Sequence, residues 1–107
     1  NPASLSGGFS GDREPVIHLN AGESAFMDVT VVSNGVVSRG LIFIAVDTNG
    51  KGKITDTGMS PVENKIKHDS YFEFNNSTLF VKSNGDASAR WIADISFVAS
   101  RYQYTLK

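Results

Sequence analysis

From residue 25 to residue 33, apolar and polar side chains alternate. Met27, Val29 and Val31 fall on one side, with Asp28 and Thr30 on the other. A period of two is what a half-buried antiparallel strand requires, because successive side chains leave opposite faces of the pleat. Asn34-Gly35 follows between two valine pairs, and both residues accept the positive φ of a two-residue hairpin turn. The alternation returns near the C-terminus, where Trp91, Ala93, Ile95 and Phe97 share a parity. Residues 41–46 are instead apolar at every position, which predicts a strand buried on both faces. Met27, Val29, Phe43, Ile44 and Ile95 are the expected core.

The remaining segments read as shorter elements. Pro15 opens a strand that Asn20-Ala21-Gly22 stops, and Lys53-Ile54-Thr55-Asp56 reads as a brief, lysine-flanked edge strand. Ser60-Pro61-Val62-Glu63 is a capping-box pattern with proline at the first helical position, predicting a helical turn or two through Lys67. Tyr71-Phe72-Glu73-Phe74 and Leu79-Phe80-Val81 flank Asn75-Asn76-Ser77 as a second hairpin. Ser83-Asn84-Gly85-Asp86 makes a third turn, and residues 102–106 a last strand. Val29, Val31 and Ser33-Asn34-Gly35 recur fifty residues on as Leu79, Val81 and Ser83-Asn84-Gly85, which reads as a duplicated hairpin or as one turn type used twice. Residues 1–11 hold glycines and serines around isolated Leu5 and Phe9, and read as a flexible lead-in to a domain of residues 12–107. The expected fold is all-β: a single antiparallel β-sandwich, immunoglobulin-like or jelly-roll-like, of about seven or eight short strands with at most one short helical turn.

Composition narrows the function classes. A chain of 107 residues has apolar surface for one core, and 40% hydrophobic with 20% charged residues is globular usage. Ten basic and eleven acidic side chains give a net charge of -1, so nucleic acid is not an expected partner. No apolar run approaches the length of a membrane-spanning helix, so insertion is not expected. The absence of cysteine excludes disulfides, thiolate metal sites and cysteine nucleophiles. The opening Asn1-Pro2-Ala3-Ser4 lacks an initiator Met; it reads as a mature chain trimmed of a signal peptide or as an excised fragment. The expectation is a bacterial export substrate, secreted or periplasmic.

Pro15-Val16-Ile17-His18-Leu19-Asn20-Ala21-Gly22-Glu23-Ser24, with the alternating strand to Val32, resembles the first two strands of bacterial extracellular immunoglobulin-like modules. There a Leu-x-Ala-Gly-Glu turn precedes a valine-rich strand. The resemblance covers about the first third of the chain, which has no cysteine pair and carries Phe43 where such domains place a central tryptophan. It implies an extracellular binding or spacing role and carries over no site residues.

Four constellations are candidates for chemistry. Asp47, Asn49 and Gly52 fall at the first, third and sixth positions of a calcium-type loop, with Asp56 further on. Lys51 stands where a ligand is needed, so an Asx-rich turn is the favoured reading and calcium a fainter one. His68 lies beside Asp69 and Ser70, yet no nucleophile elbow, zinc-binding helix or phosphate loop is present, and a non-enzymatic protein is expected. Trp91, Tyr102, Tyr104 and Tyr71 offer flat amphipathic rings that stack on sugars or anchor interfaces. Against that, Trp91 shares the parity of core residues, and Tyr102 and Tyr104 share a face with Leu106. Lys51, Lys53, Lys65 and Lys67 with His68 form a basic middle third, either a steering patch or a solvated rim.

The expected function is recognition of a protein or glycan through an exposed sheet face or end loops. Two alternatives accompany it. One is an inhibitor or immunity-type protein blocking a secreted hydrolase, with Asp47, Asn49, Lys51 and Lys53 as its presenting loop. The other is a self-associating surface or toxin subunit, a homo-oligomer joined through an edge strand such as residues 102–106.

Overall fold

The computed structural model describes residues 2–9, 11, 13–83, 86–98 and 104–106, with backbone alone at residues 2 and 104–106. Among these, nine strands form two antiparallel sheets. One runs β1 (Pro2–Gly8), β8 (Arg90–Phe97), β3 (Ser24–Ser33), β4 (Val36–Val46), β5 (Gly52–Asp56) in spatial order. The other runs β6 (Phe72–Asn75), β7 (Thr78–Val81), β2 (Glu14–Leu19), β9 (Tyr104–Leu106). The architecture is the expected all-β sandwich, with more strands than the spacing predicts.

The core lies between the sheets. Met27, Val29, Val31, Ile42, Ile44 and Ile95 of the larger sheet are fully buried, as are Ile17, Leu19 and Leu79 of the smaller one. The strand over residues 41–46 departs from expectation. Ile42, Ile44 and Val46 are buried, while Leu41, Phe43 and Ala45 are half-exposed, because only one layer packs on this sheet. Phe43 is therefore not core; its ring meets Phe26 on the outer face at 5.0 Å.

Residues 2–9 belong to the domain and are not a lead-in. β1 pairs with β8 from Pro2↔Ser96 to Gly8↔Arg90, placing Leu5 and Gly7 opposite Ala93 and Trp91. Phe9 is 1% exposed, with its ring 5.4 Å from Tyr71 and 6.3 Å from Phe72.

No helix forms over residues 61–67. Arg39 donates its backbone N–H to Asn64 O, and Ile66 donates to Arg39 O at 2.9 Å, so this segment uses its backbone on the margin of β4. Ser60 Oγ accepts the Val62 N–H at 3.2 Å in a local turn that stands in for the cap. Ile66 then enters the core above Gly40, where any Cβ would collide with its methyl group. The helical turn that does form is the 3-10 segment His68–Ser70. The fifty-residue echo is no duplicated hairpin either: β3 and β4 are neighbours in one sheet, whereas β7 and β8 lie in different sheets.

Two turns show their chemistry. At Asn20-Ala21-Gly22-Glu23, Gly22 takes φ 85° and the buried Glu23 carboxylate accepts the Asn20 N–H at 2.6 Å. Asp86 ties the β3–β4 turn: its carboxylate accepts the Ser88 hydroxyl at 2.7 Å, the Ser88 N–H at 3.0 Å, the Asn34 N–H at 2.9 Å and the Ser33 hydroxyl at 3.1 Å. The Ser88 donors foremost, then Asn34, lower its pKa from 3.8 to about 2. A depressed carboxyl pKa contributes stability that is present above 3.8 and lost as pH falls toward about 2. Melting temperatures from about pH 5 to about pH 2 should therefore fall more steeply for the native chain than for Asp86→Ala; parallel curves would contradict this reading.

Candidate binding surfaces

The outer face of the five-stranded sheet is built by the parity opposite to the core. β8 contributes Arg90, Ile92 and Asp94; β3 contributes Phe26, Asp28, Thr30 and Val32; β4 contributes Val37, Arg39, Leu41 and Phe43. Val32 stands directly between Val37 and Arg90, and Thr30 between Arg39 and Ile92. Phe26, Val32, Val37 and Ile92 are 40%, 42%, 44% and 50% exposed. Isolated apolar side chains on a surface are ordinary, but cross-strand neighbours over one flat face form a patch.

Charge crosses the middle of that patch. Arg39 Nη2 lies 2.8 Å from both carboxylate oxygens of Asp28. Asp94 stands opposite Asp28 across the β3–β8 ladder, so Arg39 offsets the repulsion of two facing carboxylates. The face thus has apolar ends and a charged waist. Beside it, residues 57–65 arch over β4 and leave a hollow of about 550 Å³ lined by Asp28, Leu41, Met59, Pro61 and Lys65. Met59 is 64% exposed there.

The residues singled out from sequence fare differently. Trp91 is 6% exposed and packs edge-on to Phe72 at 5.7 Å, so its ring face is not free to stack on a ligand. Tyr71 is half-buried against Phe9. Tyr102 lies outside the described residues, while Tyr104 pairs with Leu19 on the edge strand β9. The structure therefore does not gather Trp91 and Tyr71 into one exposed aromatic face.

Asp47, Asn49, Lys51 and Lys53 stand exposed at the β4–β5 end. One Asp47 carboxylate oxygen accepts the N–H groups of Asn49 and Lys51, each at 2.9 Å, and Gly50 takes φ 82°. This closes a short turn whose carboxylate serves its own backbone. The calcium reading fails on register. Gly52 pairs with Val46 and Asp56 with Ile42, so Asp47 and Asp56 sit at opposite ends of the ladder, about 15 Å apart. Among the described residues, no cluster of three or more His, Asp or Glu side chains is placed to hold a metal. His68 Nε2 meets Asp69 Oδ1 at 2.8 Å, and the His68 side chain is largely covered rather than solvated.

Sequence reasoning named an exposed sheet face but not the residues that form it. Its signal was present in Phe26, Val32, Val37 and Ile92, the residues that break the polar half of each alternation.

Fold and surface together define a two-sheet antiparallel sandwich whose outer face has apolar ends and a charged waist. No family model matches the chain, and no curated protein matches it. Among solved structures, the tailspike protein gp49 of the Acinetobacter baumannii bacteriophage Fri1, a capsular polysaccharide depolymerase, is similar in fold at a TM-score of 0.63 and 12% identity. The likeness covers 99% of this chain and 19% of that one, so the chain spans about a fifth of that protein's length.

Proposed function

We propose that the domain is a non-enzymatic recognition module, secreted or periplasmic, that docks a protein partner through the outer face of its five-stranded sheet. The carrying observation is the cluster of Val32, Val37 and Ile92, each more than 40% exposed and neighbours by strand register, with Phe26 and Phe43 at the other end of the same face. Burying such a patch is the main favourable term in protein association, and the Asp28–Arg39 pair with Asp94 supplies orientation. The immunoglobulin-like resemblance of the first third supports an extracellular setting. A second reading, a glycan ligand, is favoured by the likeness in fold to part of a protein described as a capsular polysaccharide depolymerase.

Capture from the native extracellular fraction tests the first reading. Val32→Glu combined with Ile92→Glu should abolish recovery of the partner while changing stability by no more than about 1 kcal/mol, since both sites are exposed. Lys51→Glu with Lys53→Glu should leave recovery intact. Loss with the loop pair and retention with the sheet pair would transfer the function to the β4–β5 turn, as the inhibitor alternative requires.

A further inference from the structure

An edge strand exposes a row of backbone N–H and C=O groups, and folded proteins blunt it with charge, brevity, a bulge or a covering segment. Three of the sheet edges here are blunted. β5 carries exposed Lys53 and Asp56, and its Gly52 end abuts the β6–β7 hairpin, so β5 and β6 shelter each other. β9 is three residues long. β1 differs. It runs for seven residues, pairs with β8 from Pro2 to Gly8 without a register shift, and residues 2–9 hold no charged side chain. Among the described residues, no strand pairs with its outer side. The ladder fixes which of its groups are free. Val98 donates its N–H to Ser24 O, so the even-numbered residues of β8 face β3 and the odd-numbered ones face β1. Ala3, Leu5 and Gly7 stand opposite Ile95, Ala93 and Trp91 and direct their backbone groups to β8. Ser4, Ser6 and Gly8 turn theirs outward, as does Pro2, whose missing N–H falls where no ladder bond is lost.

We propose that β1 is a self-association edge, and that two copies of this chain pair their β1 strands antiparallel about a two-fold axis at Leu5. The free groups dictate that register. Centring on Leu5 sets Ser4 opposite Ser6 of the second copy and Gly8 opposite its Pro2, so every outward N–H of β1 meets an outward carbonyl. Leu5 then meets its own counterpart at a closely spaced pair, where the two half-buried side chains cover each other at the sandwich margin. A second copy suits this edge for a further reason. A two-fold contact brings each group onto its own surroundings, and a strand without charge has nothing to repel its copy. An axis normal to the sheet leaves both outer faces on one side, so the dimer presents the docking face twice. The edge is a different one from residues 102–106, and its pairing does not rest on the docking reading.

Light scattering behind size exclusion, at loadings from about 10 μM to about 1 mM, should show the native mass rising toward twice that of the chain. Ser6→Pro removes an outward N–H and leaves the β1–β8 ladder intact. It should raise the dimer dissociation constant about a hundredfold, tenfold for each of two symmetry-related hydrogen bonds lost. Amide hydrogen exchange locates the contact. At the high loading Ser4, Ser6 and Gly8 should be protected like Leu5 and Gly7, and on dilution only the first three should speed up. A chain that stays monomeric at about 1 mM overturns the proposal. So does a dimer in which Ser6→Pro pairs as tightly as the native chain, or in which the three amides exchange freely. If Ser6→Pro fails to fold, Ser4→Lys combined with Ser6→Lys replaces it. Both side chains are exposed, and the register sets the lysines of the two copies opposite each other; unchanged dimerisation then overturns the proposal. Protection of the three amides only after adding the partner recovered by capture overturns the second copy as occupant and gives the edge to a strand of that partner.

Discussion

Phe9→Ala is expected to lower the unfolding free energy by about 3–5 kcal/mol. The ring is 1% exposed and sits where the chain leaves β1, against Tyr71 and Phe72. Phe72 in turn meets Trp91 edge-on, so four aromatic rings form one connected cluster. Truncating the first removes its buried area and opens a cavity that the strands on either side cannot close, since both are fixed by their ladders. Urea unfolding followed by Trp91 fluorescence measures the effect. Phe26→Ala on the outer face is the comparison, because that ring is 40% exposed and leaves no enclosed cavity. A Phe9→Ala loss no larger than that of Phe26→Ala would mean that the first residues do not pack on the domain.

Gly52→Ala is expected to cost about 3 kcal/mol for a different reason. Gly52 opens β5 at the point where the margins of the two sheets converge. An added Cβ would fall inside the van der Waals envelopes of the Asn76 carbonyl oxygen and the Phe74 ring. That carbonyl belongs to the β6–β7 hairpin turn, where Asn76 takes φ 56°, and it has no flexible side chain to swing away. The sheets would have to part at this side of the sandwich. Gly58→Ala is the contrast: nothing lies near its Cβ, and only its φ of 77° opposes a side chain, at a cost of about 1 kcal/mol. Thermal unfolding of the two variants should separate them clearly. Equal losses would show that backbone conformation, and not the approach of the sheets, sets the demand for glycine at residue 52.

These two positions mark the boundary of what was legible in the chain. β3 and β8 were legible because their inward residues are large and their outward ones mostly polar. The Asn34-Gly35 and Asn76-Ser77 turns were legible because positive φ selects asparagine and glycine. β1 was not, since Ala3, Leu5 and Gly7 carry too little apolar volume to show a period, and a strand that covers an indole with a glycine resembles a linker. Residues 61–67 have a sound capping box, but the free backbone groups of β4 compete for the same donors and acceptors, and tertiary pairing wins over local propensity. Over residues 41–46, continuous apolarity marks two coverings. The core takes Ile42 and Ile44, and the other side carries Leu41 and Phe43 into the outer patch.

The same ambiguity explains the candidate sites. Aromatic residues were read as contact groups because ring chemistry is the visible signal, yet Trp91 and Tyr71 mainly fill the sandwich margin. The exposed patch is aliphatic apart from Phe26 and Phe43, and only strand register shows that Val32, Val37 and Ile92 are neighbours.

Hydroxyl-radical footprinting of the chain, free and bound to the partner recovered by capture, tests the docking face most directly. The account predicts reduced side-chain oxidation at Phe26, Val32, Val37 and Ile92 in the complex, with His18 and Phe80 of the smaller sheet unchanged. Protection of His18 and Phe80, or of Lys51 and Lys53 alone, with Ile92 oxidised as in the free chain, would contradict it.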